Sequence, residues 1–215
     1  MRRHGPLAGA VRLRRDDLAH PSRIDAPSRD VKPPITRLTD TLWTGGDLPD
    51  DASLPAVLRA WTEAGIGVIV DCRVEWSDED FVAEYAPEIR YEHHGIDDVG
   101  QHVAGDWFDH LVEVAAPRPQ DAASGVLVHC HMGINRGPSG AYALLLAAGH
   151  DPIEAIELIR ARRPIAGVSY AEDALRWWHR RNGTPEADRV EQRGALADWR
   201  RANRMQTIRL LRGDD

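Results

Sequence analysis

Residues 125–139 read Gly125-Val126-Leu127-Val128-His129-Cys130-His131-Met132-Gly133-Ile134-Asn135-Arg136-Gly137-Pro138-Ser139. Gly125 to His129 is a short apolar run of the kind required by a strand covered on both faces. Pro138 suits the first turn of a helix, where a missing N–H costs nothing, so the spacing predicts a helix over 138–148. A strand that passes through a tight loop straight into a helix is one unit of a layered α/β domain.

The flanking sequence repeats the alternation. Gly67 to Cys72 is a second almost wholly apolar run and reads as a central strand. Ile35 to Leu38 and Leu42 to Thr44 alternate like a strand pair that ends at Gly45-Gly46, and 89–96 reads as a further strand. Apolar spacing predicts helices over 54–64 and 106–116, and Ser77-Asp78-Glu79-Asp80 reads as the capped start of another over 77–85. Beyond residue 136 the pattern is almost entirely helical, over 138–148, 152–163, 170–181 and about 185–204, with an apolar tail at 208–211. The expected fold class is α/β, a central mostly parallel sheet of about four to five strands flanked by helices.

The chain has 215 residues, which is one domain with extensions. The first 34 residues hold eight basic side chains against four acidic ones and five prolines, and read as a flexible arm; 35–182 carry the domain and 183–215 a helical extension. The net charge of -7 argues against broad nucleic-acid binding, which needs a basic surface. No apolar run approaches the ~20 residues that span a bilayer, so the sequence reading is a cytoplasmic protein without a membrane partner. Two cysteines form at most one bridge, which excludes a disulfide scaffold.

The chemistry is concentrated in the loop. A strand-loop-helix junction aims several backbone N–H groups at one point and adds the positive end of the helix, a geometry that binds a tetrahedral dianion and favours a thiolate at the same place. Cys130 is the nucleophile such a loop would serve, although free cysteines are more often small buried hydrophobes. Arg136 brings a planar fork that can hold two oxygens of a phosphoryl group. Gly133 can adopt the positive φ that wrapping an anion requires, and Asn135 can brace the loop through its side chain. Zinc is a poor alternative, because His129, Cys130 and His131 are adjacent and cannot supply four tetrahedral ligands.

The His129-Cys130 pair, five residues and Arg136 resemble the phosphate-binding loop of the cysteine-dependent protein phosphatases, in the dual-specificity branch. Leu42-Trp43-Thr44-Gly45-Gly46 is similar to an early strand of that branch, and the resemblance spans roughly 35–182. It implies that Cys130 attacks phosphorus and that His131, Met132, Gly133, Ile134, Asn135 and Arg136 cradle the phosphate. An aspartate then serves as acid and afterwards as base, with no metal and no cofactor. Asp98, 32 residues before Cys130, is the choice for that aspartate, and Asp97 is the alternative. Asp71 ends an apolar strand, where it could face the site, and is read as orienting Arg73 or capping a neighbouring loop. His93 and His94, adjacent on a strand, point to opposite faces and are read as structural or surface groups.

Further expectations follow from the resemblance. Arg163 falls where the family often places a basic residue at the pocket rim. Cys72 and Cys130 each end an apolar run, and neighbouring parallel strands would bring both to one edge of the sheet, in a place similar to that where some relatives keep a redox partner for the nucleophile. Many relatives carry Ser or Thr after the loop arginine, and Gly137 here implies slow hydrolysis of the phosphoenzyme. The loop lacks lysine, which points away from inositol phospholipids. The expected activity is hydrolysis of a phosphorylated protein or small phosphoester. The alternatives are a feeble phosphoresidue-binding module on the same fold, or a phosphatase of a small molecule or an RNA 5′ phosphate.

Overall fold

A computed structural model describes residues 35–204; the basic arm and the 208–211 tail lie outside the described residues. Five strands form one sheet in the order β1-β2-β5-β3-β4: β1 Ile35–Arg37, β2 Leu42–Gly45, β3 Ile66–Asp71, β4 Arg90–His93 and β5 Gly125–His129. Only β1 runs antiparallel, paired to β2; the β2–β5, β5–β3 and β3–β4 pairs are parallel. The two apolar runs singled out in the sequence are thus neighbours, and every residue of both strands is buried.

Helices cover both faces, which is why these strands carry no polar alternation. Val68, Val70, Cys72, Val126, Val128 and Cys130 face a core shared with α3 Gly105–Ala115, α4 Arg136–Ala147, α5 Pro152–Arg162 and α6 Ala171–Asn182. Ile69 and Leu127 face the opposite core, against Leu58 and Trp61 of α1 Leu54–Glu63 and Val82 of α2 Glu79–Tyr85. An irregularity between Ile66 and Val68 reverses the alternation, so Ile66 joins Ile69 on the α1 side. Gly67 sits at that kink, where any side chain would strike the Ala123 backbone. The last helix, α7 Glu186–Ala202, belongs to the same body, since its Leu196 is 2% exposed and packs into the larger core.

Three local expectations are corrected. The fourth helix starts at Arg136, so Pro138 is its third residue; N–H groups are unpaired throughout a first turn and the position tolerates proline equally well. The 77–85 segment is helical only from Glu79, and Asp78 makes no side-chain cap, because its carboxylate is drawn to Arg73 instead. The 89–96 strand shortens to Arg90–His93, after which His94 and Ile96 still donate to the Asp71 and Cys72 carbonyls.

Candidate active site

Parallel strands end together, and the C-terminal edge of this sheet collects the loops after β2, β3, β4 and β5. The Cys130 loop is built against the first of these. Cys130 N–H donates to the Gly45 carbonyl at 3.2 Å, and Asp47 N–H to the His131 carbonyl at 2.9 Å. Gly133 has φ of +61°, and a side chain there would collide with the Gly45 backbone and with Arg163. Glycine is therefore required both by the turn and by the approach of β2.

Arg163 is not at a rim. Its side chain is buried, with Nε donating to the Gly133 carbonyl at 2.6 Å, Nη2 to the Met132 carbonyl at 3.2 Å and Nη1 to Thr36 Oγ1 at 3.1 Å. The guanidinium underpins the loop from within the fold, which corrects the expected rim placement.

Arg136 opens α4 and is 3% exposed. Its Nη1 and Nη2 meet Glu75 Oε2 and Oε1 at 2.7 and 2.9 Å, a fork-to-fork pair that holds the guanidinium plane. That pair pulls the Glu75 carboxyl down to about 2. Nε is buried with no hydrogen-bond acceptor among the described residues, and Asp98 Oδ2 stands 3.6 Å away. The thiol side of the site also acts on this arginine, since the charge of Cys130 and the carboxylates of Glu75 and Asp98 all favour its cationic form against the cost of burial.

Asp98 is drawn toward the loop by two neighbours. Asn135 Nδ2 donates to Asp98 Oδ1 at 2.5 Å, and the Tyr170 hydroxyl donates to the same oxygen at 3.1 Å. Asn135 Oδ1 accepts from Ser169 N–H at 2.6 Å, so one amide ties the 97–100 loop, the Cys130 loop and the segment before α6 together. Asp97 contributes its carbonyl, which accepts from Gln101 Nε2 at 2.6 Å. Of the two adjacent carboxylates, Asp98 is the one brought to Arg136.

Beneath the loop lies a polar layer. Arg73, fully buried, binds Asp71 through Nε at 2.8 Å and Nη2 at 2.6 Å, Asp78 at 2.5 Å and Asp47 at 2.7 Å. Asp71 thus orients Arg73, as its strand-end position suggests. Asp71, Asp78 and His129 lie close enough together to hold a cation, and the Arg73 guanidinium between the two carboxylates already supplies the positive charge. Burial pushes the pKa of His129 down against the opposing pull of Asp71; neither of its ring nitrogens has a hydrogen-bond partner among the described residues. His93 Nε2 meets the Arg73 carbonyl and His94 Nε2 the Trp107 carbonyl, both structural contacts.

Cys72 is fully buried on the same face of the sheet as Cys130, and its N–H donates to the His129 carbonyl at 2.9 Å. Burial pushes the Cys72 thiol well up, and the neighbouring Cys130 adds to that. At position 137 a side chain would come within 2.9 Å of the His129 backbone, so α4 packs too tightly on β5 for a hydroxyl residue. Two residues further on, the buried Ser139 Oγ accepts from Tyr170 N–H at 3.3 Å. At the surface, His131 pairs with Asp47 and meets the edge of Trp76, and Met132, Trp76, Val74 and Val99 are exposed.

Sequence reading missed Glu75 and Tyr170. Glu75 lies in an acidic stretch that resembles a solvated turn, and Tyr170 reads as a helix start; their only signal is position after a strand or before a helix at this edge.

No protein-family model matches the chain, and no curated protein matches it. Solved structures do. Tk-PTP in its active form superposes with a TM-score of 0.56 at 18% identity, covering 70% of this chain and 99% of that one. PTPMT1 in complex with PI(5)P gives 0.53 at 15%, covering 68% and 96%. Human DUSP28 gives 0.52 at 18%, covering 71% and 97%. The chain has the fold of the dual-specificity and tyrosine phosphatases, spanning nearly the whole of each.

Proposed function

We propose that the protein is a phosphomonoester hydrolase working through a phosphocysteine, most simply on phosphorylated protein side chains or small phosphoesters. The observation that carries this reading is the open, buried Nε of Arg136 beside Asp98, at the mouth of the loop that begins with Cys130. A buried donor of this kind is rarely left without a partner, and a phosphoryl oxygen would satisfy it. The likeness in fold to phosphatases supports the reading.

In the first step the Cys130 thiolate attacks phosphorus, the S–P bond forms, the P–O bond breaks, and Asp98 gives its proton to the departing oxygen. Loop amides and Arg136 neutralise the charge on the equatorial oxygens. In the second, Asp98 takes a proton from water as that water attacks phosphorus, and the thiolate leaves with release of phosphate. No metal enters either step. The activity should follow a bell-shaped pH profile, since the thiol must be ionised and the acid protonated.

The lack of room for a side chain at 137 favours a second reading, in which the loop binds phosphate and turns it over slowly. The two separate in one experiment: hydrolysis of an aryl phosphate in chelator by the wild type, Cys130→Ser and Asp98→Ala. The first reading requires turnover, abolished in Cys130→Ser and reduced roughly 10²-fold or more in Asp98→Ala. Activity surviving in Cys130→Ser would overturn it, and a burst followed by near-zero turnover would favour the trap. We also keep Cys72 as a redox partner: a Cys130 sulfenic acid and the Cys72 thiol would condense to a disulfide and water. Peroxide inactivation that dithiothreitol reverses in wild type but not in Cys72→Ser supports it; identical behaviour removes it.

A further inference from the structure

On the far side of the segment 167–169 from the catalytic loop lies an open pocket of about 250 Å³ between α5 and α7. Three arginines line it, Arg160 from α5, Arg200 from α7 and Arg204 just beyond that helix, with Trp199, Asn203, Gly167 and Ser169 completing the wall. None of its described lining residues is acidic, and among the described residues none of the three arginines has a carboxylate partner. Arg160 is half-buried and stacks over the Trp199 ring, 5.8 Å from its centre. Burial pushes its pKa down with no anion to answer it. Arg200 directs Nη2 at the Ser169 and Val168 carbonyls, at 2.6 and 3.2 Å, and not at the carbonyls that end its own helix. Cations at helix ends are ordinary; two helix ends that converge three of them on one concavity, without a carboxylate partner among the described residues, are not.

The pocket wall is also the wall of the candidate active site. Gly167 N–H donates to the Ile134 carbonyl at 2.6 Å, and Ser169 N–H to Asn135, which in turn holds Asp98. Between them Val168 has φ of +48°, a conformation that a β-branched residue adopts only where its surroundings impose it. The pocket is smaller than the several hundred Å³ that enclose a drug-sized ligand, so it suits a compact anionic group.

We propose that this pocket is an anion subsite that takes a phosphate dianion beside the catalytic loop. Guanidinium forks match phosphate oxygens, and Ser169 adds a hydroxyl. The phosphate could be a second phosphoryl group of the molecule bound at Cys130 or a free phosphate, and the chemistry is the same. The proposal stands apart from the catalytic reading, because it is tested with the catalytic arginine removed.

Inorganic phosphate titrated calorimetrically into Arg136→Ala should still find one saturable site, weakened by added salt. Arg136→Ala/Arg160→Gln and Arg136→Ala/Arg204→Glu should each bind it at least tenfold more weakly. No binding to Arg136→Ala, or binding unchanged in both double variants, overturns the proposal. Should Arg136→Ala not fold, Arg204→Glu alone, altered at an exposed helix end, must lose one of the two sites of the wild type, and retention of both is equally fatal. A propane-1,3-bisphosphate that binds Cys130→Ser tenfold tighter than propyl phosphate supports a shared substrate; equal affinities, with the pocket site intact in the first titration, support free phosphate.

Discussion

Arg73 follows β3 and Arg136 follows the loop after β5, on neighbouring strands, and their exposures are 0% and 3%. Arg73 meets three aspartates, two of them almost without solvent contact, and the Asp71 partner is itself bonded by the Tyr91 hydroxyl. Burial opposes its charge, and the bonds to Asp71 and Asp78 more than restore it. Arg136 instead leaves Nε open and meets Glu75 and Asp98, whose side chains are 41% and 35% exposed. A buried arginine saturated by buried carboxylates is fixed structure, whereas one held by half-exposed carboxylates can exchange them for an incoming anion at little cost.

The contrast breaks first at Arg73. Arg73→Met strands two buried aspartates, and urea denaturation should show a loss of about 3–5 kcal/mol. If aryl phosphate turnover fell while stability held, Arg73 would belong to the site and not beneath it. Arg136→Lys keeps the charge and loses the fork, and should cost roughly 10²–10³ in kcat with stability nearly unchanged. A large fall in stability would instead make Arg136 a second Arg73.

Glu75→Gln sharpens the picture from the other side. It should lower kcat by roughly fivefold at most, the worth of a half-exposed ion pair, with little change in KM. The Glu75 carboxyl sits at about 2 against an ordinary 4.5, so its clamp is complete above pH 4.5 and is lost as the pH falls through about 2. Glu75 therefore contributes nothing to an acid limb of activity that lies above pH 4.5, and such a limb that moved in Glu75→Gln would refute this.

A further test is the pH dependence of stability. Burial lowers the pKa of His129 and of His94, so the unfolded chain binds protons there that the folded chain does not. Their contribution is complete above pH 6.5 and is lost as the pH falls, at up to about 1.4 kcal/mol per pH unit for each. Urea denaturation between about pH 7.5 and 5 should show stability falling toward acid; a flat profile would mean that neither pKa is lowered in the fold.

The class of fold was legible because doubly covered strands and their following loops are written in contiguous residues. The loop from Cys130 to Arg136 was legible for the same reason, and Asp71 could be matched to Arg73 because two residues separate them. What local sequence did not reveal were side-chain partnerships between distant segments. Glu75 reaches Arg136 over 61 residues and Arg163 reaches Gly133 over 30, so nothing local marks either. Asp78 looked like a helix cap because its local pattern is that of one, and a buried guanidinium five residues away outbid the backbone for it.

The sequence by itself thus determined the layered class, the anion-shaped loop and the candidate nucleophile, because short-range backbone chemistry decides those. The tertiary structure decided which aspartate approaches Arg136, which arginines are saturated and which remain open, and where a basic pocket forms. Those outcomes depend on the strand order β2-β5-β3-β4 and on how α7 packs against α5, and so on distances between residues that lie far apart along the chain.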